Sequence, residues 1–132
     1  MIMRQRSENW DAFVANLAYQ SSFSHVVALD LFTAMECVYK HPGDFSFADV
    51  KHMRPKTEDP AKYLYDVNDD LHFGQRGQTL IRQVVQYYLT RGWDWSNTDK
   101  NPVAARQKLV TDLKAGKVFV GISCDPDSAE AG

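Results

Sequence analysis

Apolar side chains along this chain recur mostly at helical spacing. Trp10, Phe13, Val14 and Leu17 fall at i, i+3, i+4 and i+7, one stripe of a helix that begins after Ser7. Ser7 suits the cap of that helix, and Glu8 and Asp11 suit the positive end of its dipole. From Ser24 to Lys40 the apolar positions Val26, Val27, Leu29, Leu31, Phe32, Met35 and Val38 cover most of the circumference, as in a helix central to a core. Pro42–Gly43 ends it. Ser46 with Asp49, and Phe45 with Val50, fit a capping box and hydrophobic staple and predict a short helix. The alternation of Phe45 and Phe47 offers a strand there instead.

Asp59–Pro60 opens a helix over 60–72, with Tyr63, Leu64, Val67 and Leu71 as its stripe. After the breaks at Gly74 and Gly77, Thr79 to Arg91 reads as the next helix, with Leu80, Ile81, Val84, Val85, Tyr88 and Leu89. Gly92 is placed as the left-handed residue after it, with Trp93 folding back on Tyr88. Asn101–Pro102 repeats the cap-plus-proline signal and starts a helix that runs to Gly116 around Leu109, Val110 and Leu113. Lys117 to Ser123, KVFVGIS, is short, β-branched and aromatic, and reads as a strand. A lone strand cannot satisfy its own ladder, so its partner would be residues 44–48, a second copy of the chain or a bound protein. The expected fold is therefore α+β and mostly helical: about six helices with one or two short strands in a single compact domain over 1–124. A flexible polar tail follows over 125–132.

Size and composition agree. The chain has 132 residues, 44% apolar and 24% charged, which suits one folded domain and is too apolar for disorder. No apolar run approaches the roughly 18–20 residues that span a bilayer, and MIMRQRSENW lacks the hydrophobic stretch of a secretory leader. Two cysteines, Cys37 and Cys124, exclude a disulfide-dense scaffold and a Cys-rich zinc site. Cys37 lies in the most apolar helix, where a buried thiol is common, and Cys124 reads as exposed. These features make the cytoplasm the expected compartment.

Charge is uneven. Residues 1–75 carry 7 basic and 11 acidic side chains, residues 76–117 carry 8 and 3, and residues 118–132 carry three acids and no base. The middle-to-late stretch is basic by five charges, which fits an anionic partner or the acidic part of the same chain.

Chemistry-bearing motifs are few. Asp66, Asn68 and Asp70 sit where a calcium loop places positions 1, 3 and 5, but position 6 is Leu71 and position 12 is Gly77. His25, His41, His52 and His72 fit no metal spacing, and no nucleophile elbow, phosphate loop or dinucleotide fingerprint occurs. The expectation is no metal, no cofactor and no catalytic residue, so the chain leans away from enzymes. The leading reading is a non-enzymatic macromolecule-binding domain, probing a partner protein through Tyr87, Arg91, Trp93 and Trp95 and pairing as a homodimer. Tyr, Trp and Arg dominate interface energetics, and adjacent tyrosines about 100° apart on a helix do not both face one core. The alternative reading is nucleic-acid binding through a helix-turn-helix-like segment over 60–91. Arg82, Gln83 and Gln86 would then face base edges, and Arg76, Lys100, Arg106 and Lys108 the phosphates.

Overall fold

The computed structural model describes Asn9 and residues 28–47, 59–66, 72–92 and 101–129. Three α-helices organise them: α1 over Leu31–Lys40, α2 over Gln75–Thr90 and α3 over Pro102–Lys114. Helix α1 is central, packed against both α2 and α3.

The helix ends follow from local chemistry. Asp30 caps α1: its carboxylate accepts from the Thr33 N–H at 3.0 Å and from the Thr33 hydroxyl at 2.6 Å. Asn101 caps α3 by accepting from Val103 and Ala104 N–H, with Pro102 in the first turn. The Asn101–Pro102 end behaves as its cap signal requires. Gly92 adopts the expected left-handed conformation after α2, at φ 78°. Pro42–Gly43 does stop α1, and residues Pro42–Phe45 form a single 3-10 turn closed by Ser46 in the left-handed region.

The expectation of about six helices with strands is corrected. The described residues are largely helical, with three α-helices and no strand. The Ser24–Lys40 helix starts at Leu31, because Asp30 takes the cap and residues 28–30 are irregular. The helix over 60–72 is replaced by a 3-10 turn at Pro60–Lys62 and an antiparallel bridge between Tyr65 and Phe73. The Tyr65 and Phe73 rings stack at 5.4 Å there, and Gly74 N–H donates to Leu64 O at 2.8 Å. Helix α2 then starts at Gln75, not Thr79, and runs through Gly77. A Cβ at Gly77 would stand 2.7 Å from the Leu64 carbonyl oxygen, so glycine is what lets the bridge lie against α2. All of the helix expected from Ser7 except the helical Asn9, most of the one from Ser46, and residues 67–71 lie outside the described residues.

The largest correction concerns Lys117 to Ser123. These residues form consecutive turns, not a strand. Glycines at 116 and 121 have φ of 71° and 76°, which reverses the chain at both ends. The backbone donors go to the end of α3: Lys117 N–H to Asp112 O, and both Gly116 and Cys124 N–H to Leu113 O. The Ser123 hydroxyl donates to Lys114 O. Carbonyls that a helix leaves open at its C-terminus are thereby satisfied. Within the segment, Ile122 N–H donates to Phe119 O and Val120 N–H to Gln83 Oε1, so these donors bond within the chain and not to a neighbouring strand. Val118 and Phe119 are both buried side by side, which no two-residue alternation allows, while Val120 is 81% exposed.

Phe119 meets Phe45 edge to face at 5.0 Å, and both rings are fully buried. With Val38, Cys37, Leu64, Val84, Leu109 and Leu113 they form one core. The polar residues beyond it remain in contact. Pro126 is buried, and Arg106 pairs with Asp127 at 2.6 Å.

Phe119→Ala is expected to lower unfolding free energy by about 3–5 kcal/mol through the cavity it leaves, whereas Val120→Ala should stay within about 0.5 kcal/mol. Denaturant titration of the two variants checks this turn-based burial, since a strand register would make alternate residues costly instead.

Candidate functional site

The residues expected to contact a partner separate into engaged and open groups. Tyr87 is interior: its hydroxyl donates to Asp112 Oδ2 at 2.5 Å, joining α2 to α3. Burial, together with that hydrogen bond to a carboxylate, pushes the Tyr87 phenol well above the ordinary tyrosine range. Tyr88 is interior as well, and its hydroxyl accepts from Asp30 N–H at 3.2 Å. The two rings meet edge to face at 5.2 Å. Adjacent tyrosines are thus both buried, because Tyr87 bonds Asp112 on α3 while Tyr88, about 100° further round the helix, bonds Asp30 at the start of α1. Arg91 lies half-buried across this pair, with its guanidinium carbon 5.8 Å from the Tyr87 ring and 5.0 Å from the Tyr88 ring. Trp93 and Trp95 lie outside the described residues.

The residues expected to meet nucleic acid divide in the same way. Arg76 donates to Phe45 O at 3.0 Å and lies over the Phe47 ring, which pins the 42–47 turn to α2. Gln83 accepts from Val120 N–H through its amide oxygen at 3.3 Å. Arg106 makes two bonds to Asp127. Lys108 is half-buried on α3, and Lys100 lies outside the described residues. Arg82 and Gln86 are exposed one turn apart on α2. The helix-turn-helix-like arrangement over 60–91 loses its first helix to the Tyr65–Phe73 bridge.

No family model, curated protein or solved structure matches the chain.

What remains open is the outer face of α2. Arg82, Val85, Gln86 and Leu89 are exposed together, and Leu89 is 69% exposed. Over its 16 residues α2 has no acid and two arginines, one of which is turned inward onto Phe47. Arg82 is therefore the single outward charge between Gln75 and Thr90. Two of the hydroxyls on this face already bond within the helix: Thr79 to Gln75 O at 3.1 Å and Thr90 to Gln86 O at 2.8 Å. Val85 and Leu89 give up no hydrogen bonds when covered, whereas Arg82 and Gln86 need polar partners. Sequence reasoning passed over Val85 and Leu89, since both fit the stripe of a helix and only the position of the neighbouring helices turns them outward.

A second polar group lies at the end of α1. His41 Nε2 is 2.6 Å from the Ser128 hydroxyl, and that hydroxyl donates to Asp125 O at 2.8 Å. With its proton committed to a carbonyl, Ser128 accepts from the imidazole N–H. A nucleophile needs the reverse polarity, with the base taking the hydroxyl proton. The pair is a tether. Among the described residues no three His, Cys, Asp or Glu side chains converge to hold a metal ion, and no helix is long and apolar enough to cross a membrane.

Tyr87→Phe is expected to cost about 1–2 kcal/mol by leaving Asp112 short of a donor. The pH dependence has a definite sign. The folded chain holds the Tyr87 proton where the unfolded chain releases it near the ordinary value of 10.0, so this contribution is complete below that pH and declines as pH rises past it. Unfolding free energy measured from neutral pH into the alkaline range should fall more steeply for the parent chain than for Tyr87→Phe.

Proposed function

We propose that this chain is a non-enzymatic binding domain that recognises another protein through the outer face of α2. The supporting observation is the exposure of Leu89 and Val85 on a long helix face whose one charge is Arg82. Exposed helix faces of proteins without a partner carry interspersed charges of both signs. Here the two apolar side chains can be covered without loss of hydrogen bonds, and the threonine hydroxyls are already bonded within the helix. The partner that fits offers an apolar side chain to the Val85–Leu89 ridge and a carboxylate to Arg82. Arg91 lies over the Tyr87 and Tyr88 rings at the end of the same helix.

A nucleic-acid partner finds less here. Arg76, Gln83 and Arg106 are engaged within the chain, which leaves Arg82 and Gln86 as an exposed pair on α2.

A photo-crosslinking side chain in place of Gln86, in cells that express the chain, is expected to trap a protein, and Leu89→Glu to abolish the product. The same probe at exposed Lys117 serves as the control. A product of twice the chain's mass identifies the partner as a second copy. Capture of nucleic acid, or a product unchanged by Leu89→Glu, defeats the reading.

A further inference from the structure

The acidic end of the chain lies on its basic stretch. Residues 118–132 carry three acids and no base, and two of those acids, Asp125 and Asp127, meet cations of α3. Arg106 binds the Asp127 carboxylate through both terminal nitrogens, at 2.6 Å and 3.4 Å, and Lys114 Nζ stands 3.8 Å from Asp125 Oδ2. From the end of α1, Lys40 Nζ donates to Pro126 O at 2.9 Å, and His41 Nε2 meets the Ser128 hydroxyl at 2.6 Å. The Pro126 side chain is fully buried. Four side chains thus hold four consecutive residues, Asp125 to Ser128.

The held segment is shaped by its own bonds. Asp127 N–H donates to Asp125 Oδ1 at 3.0 Å, and the Ser128 N–H and hydroxyl both donate to Asp125 O, a turn that Asp followed by Pro favours. A peptide with that order of residues brings the same turn, so little chain entropy is lost when it docks. The seat has the complementary charge: α3 carries one acid, Asp112, and its carboxylate is bonded to Tyr87. A buried proline and a lysine bonded to a main-chain carbonyl are contacts that a peptide makes and a nucleic acid does not.

We propose that Lys40, His41, Arg106 and Lys114 form a binding site for an acidic, proline-turn peptide of a partner protein, and that Asp125–Ser128 occupies it as an autoinhibitory strap. The site draws on α1 and α3, so it stands independently of the α2 face. The strap can lift because its ion pairs face water: the Asp127 side chain is 49% exposed and that of Lys114 54%. Exposed pairs contribute little and are screened by salt. Tethering gives the strap a high local concentration. A free peptide therefore meets the seat only in the fraction of chains whose strap has lifted, and its apparent affinity falls by that fraction. Weakening the strap strengthens binding of the free peptide.

A fluorescent peptide with the sequence of residues 125–132, DPDSAEAG, titrated into the full chain and read by anisotropy, tests this. The full-length double variant Asp125→Ala, Asp127→Ala is expected to bind it roughly tenfold or more tightly than the parent. Adding Arg106→Glu should remove that binding, and a peptide of the same composition with its proline moved to the end should not bind. Equal affinity of parent and double variant, equal binding of the rearranged peptide, or binding that survives Arg106→Glu overturns the proposal. So does a parent chain whose mass doubles with concentration, which would assign the seat to tails exchanged between copies. Displacement of the peptide by a single-stranded oligonucleotide as readily as by unlabelled peptide overturns it too. Where the double variant fails to fold, the parent decides. Saturating unlabelled peptide should shift the Ser128 and Ala129 amide resonances toward those of a free chain end, and unchanged resonances defeat the strap.

Discussion

The structure depends on how the C-terminal end of α3 is satisfied. A helix leaves its last carbonyls without intrahelical donors, and at α3 one of them belongs to the buried Leu113. Residues 116–124 fold back and supply the donors, two of them to Leu113 O alone. In doing so they carry Val118, Phe119 and Cys124 into the core that holds Cys37, Val38 and Phe45. Backbone satisfaction and apolar burial are therefore one event. Breaking the fold-back would leave the carbonyl of buried Leu113 short of two donors, at about 1–3 kcal/mol, and expose the Phe45–Phe119 pair.

The parts of this fold that were legible in the sequence are those where one residue dictates the local backbone. Asn101 followed by Pro102 has a single good use, and so does Gly92 after a helical stripe. The parts that were not legible are those where local preference and tertiary demand diverge. KVFVGIS has strong strand propensity, but propensity in strands reflects fit to neighbours, and no neighbouring strand exists among the described residues. The glycines at 116 and 121, readable as breaks, outweighed the β-branched residues between them. In the same way the stripe from Tyr63 to Leu71 matches a helix, yet Tyr65 gains more by stacking on Phe73 and opening a path for Gly77 against Leu64.

The candidate site divides along similar lines. Arg82 and Gln86 were readable as surface side chains because each falls on the polar side of α2. Arg76, Gln83 and Arg106 carried the same signal but reach back to a carbonyl, an amide and a carboxylate of their own chain. Long polar side chains are ambiguous in this way, since their stems reach several ångströms and their heads bond whatever lies there. Tyr87 shows the converse. An aromatic at a helix edge resembles an interface anchor until Asp112, on another helix, takes its hydroxyl.

The α2 face is tied to the rest of the chain by two neighbouring side chains. Tyr87 donates its hydroxyl to Asp112 on α3, and Tyr88 accepts the Asp30 N–H at the start of α1. The Asp112 carbonyl also accepts the Lys117 N–H, so one residue joins the fold-back segment to the helix bearing Val85 and Leu89. The other bond between that segment and α2, Val120 N–H to Gln83 Oε1 at 3.3 Å, is exposed to solvent. A bond of that kind contributes about 0.5–1.5 kcal/mol, whereas a hydrogen bond to a partly buried carboxylate is less screened by water and holds more firmly. The position of the α2 face relative to the fold-back segment is therefore set at Asp112 rather than at Gln83.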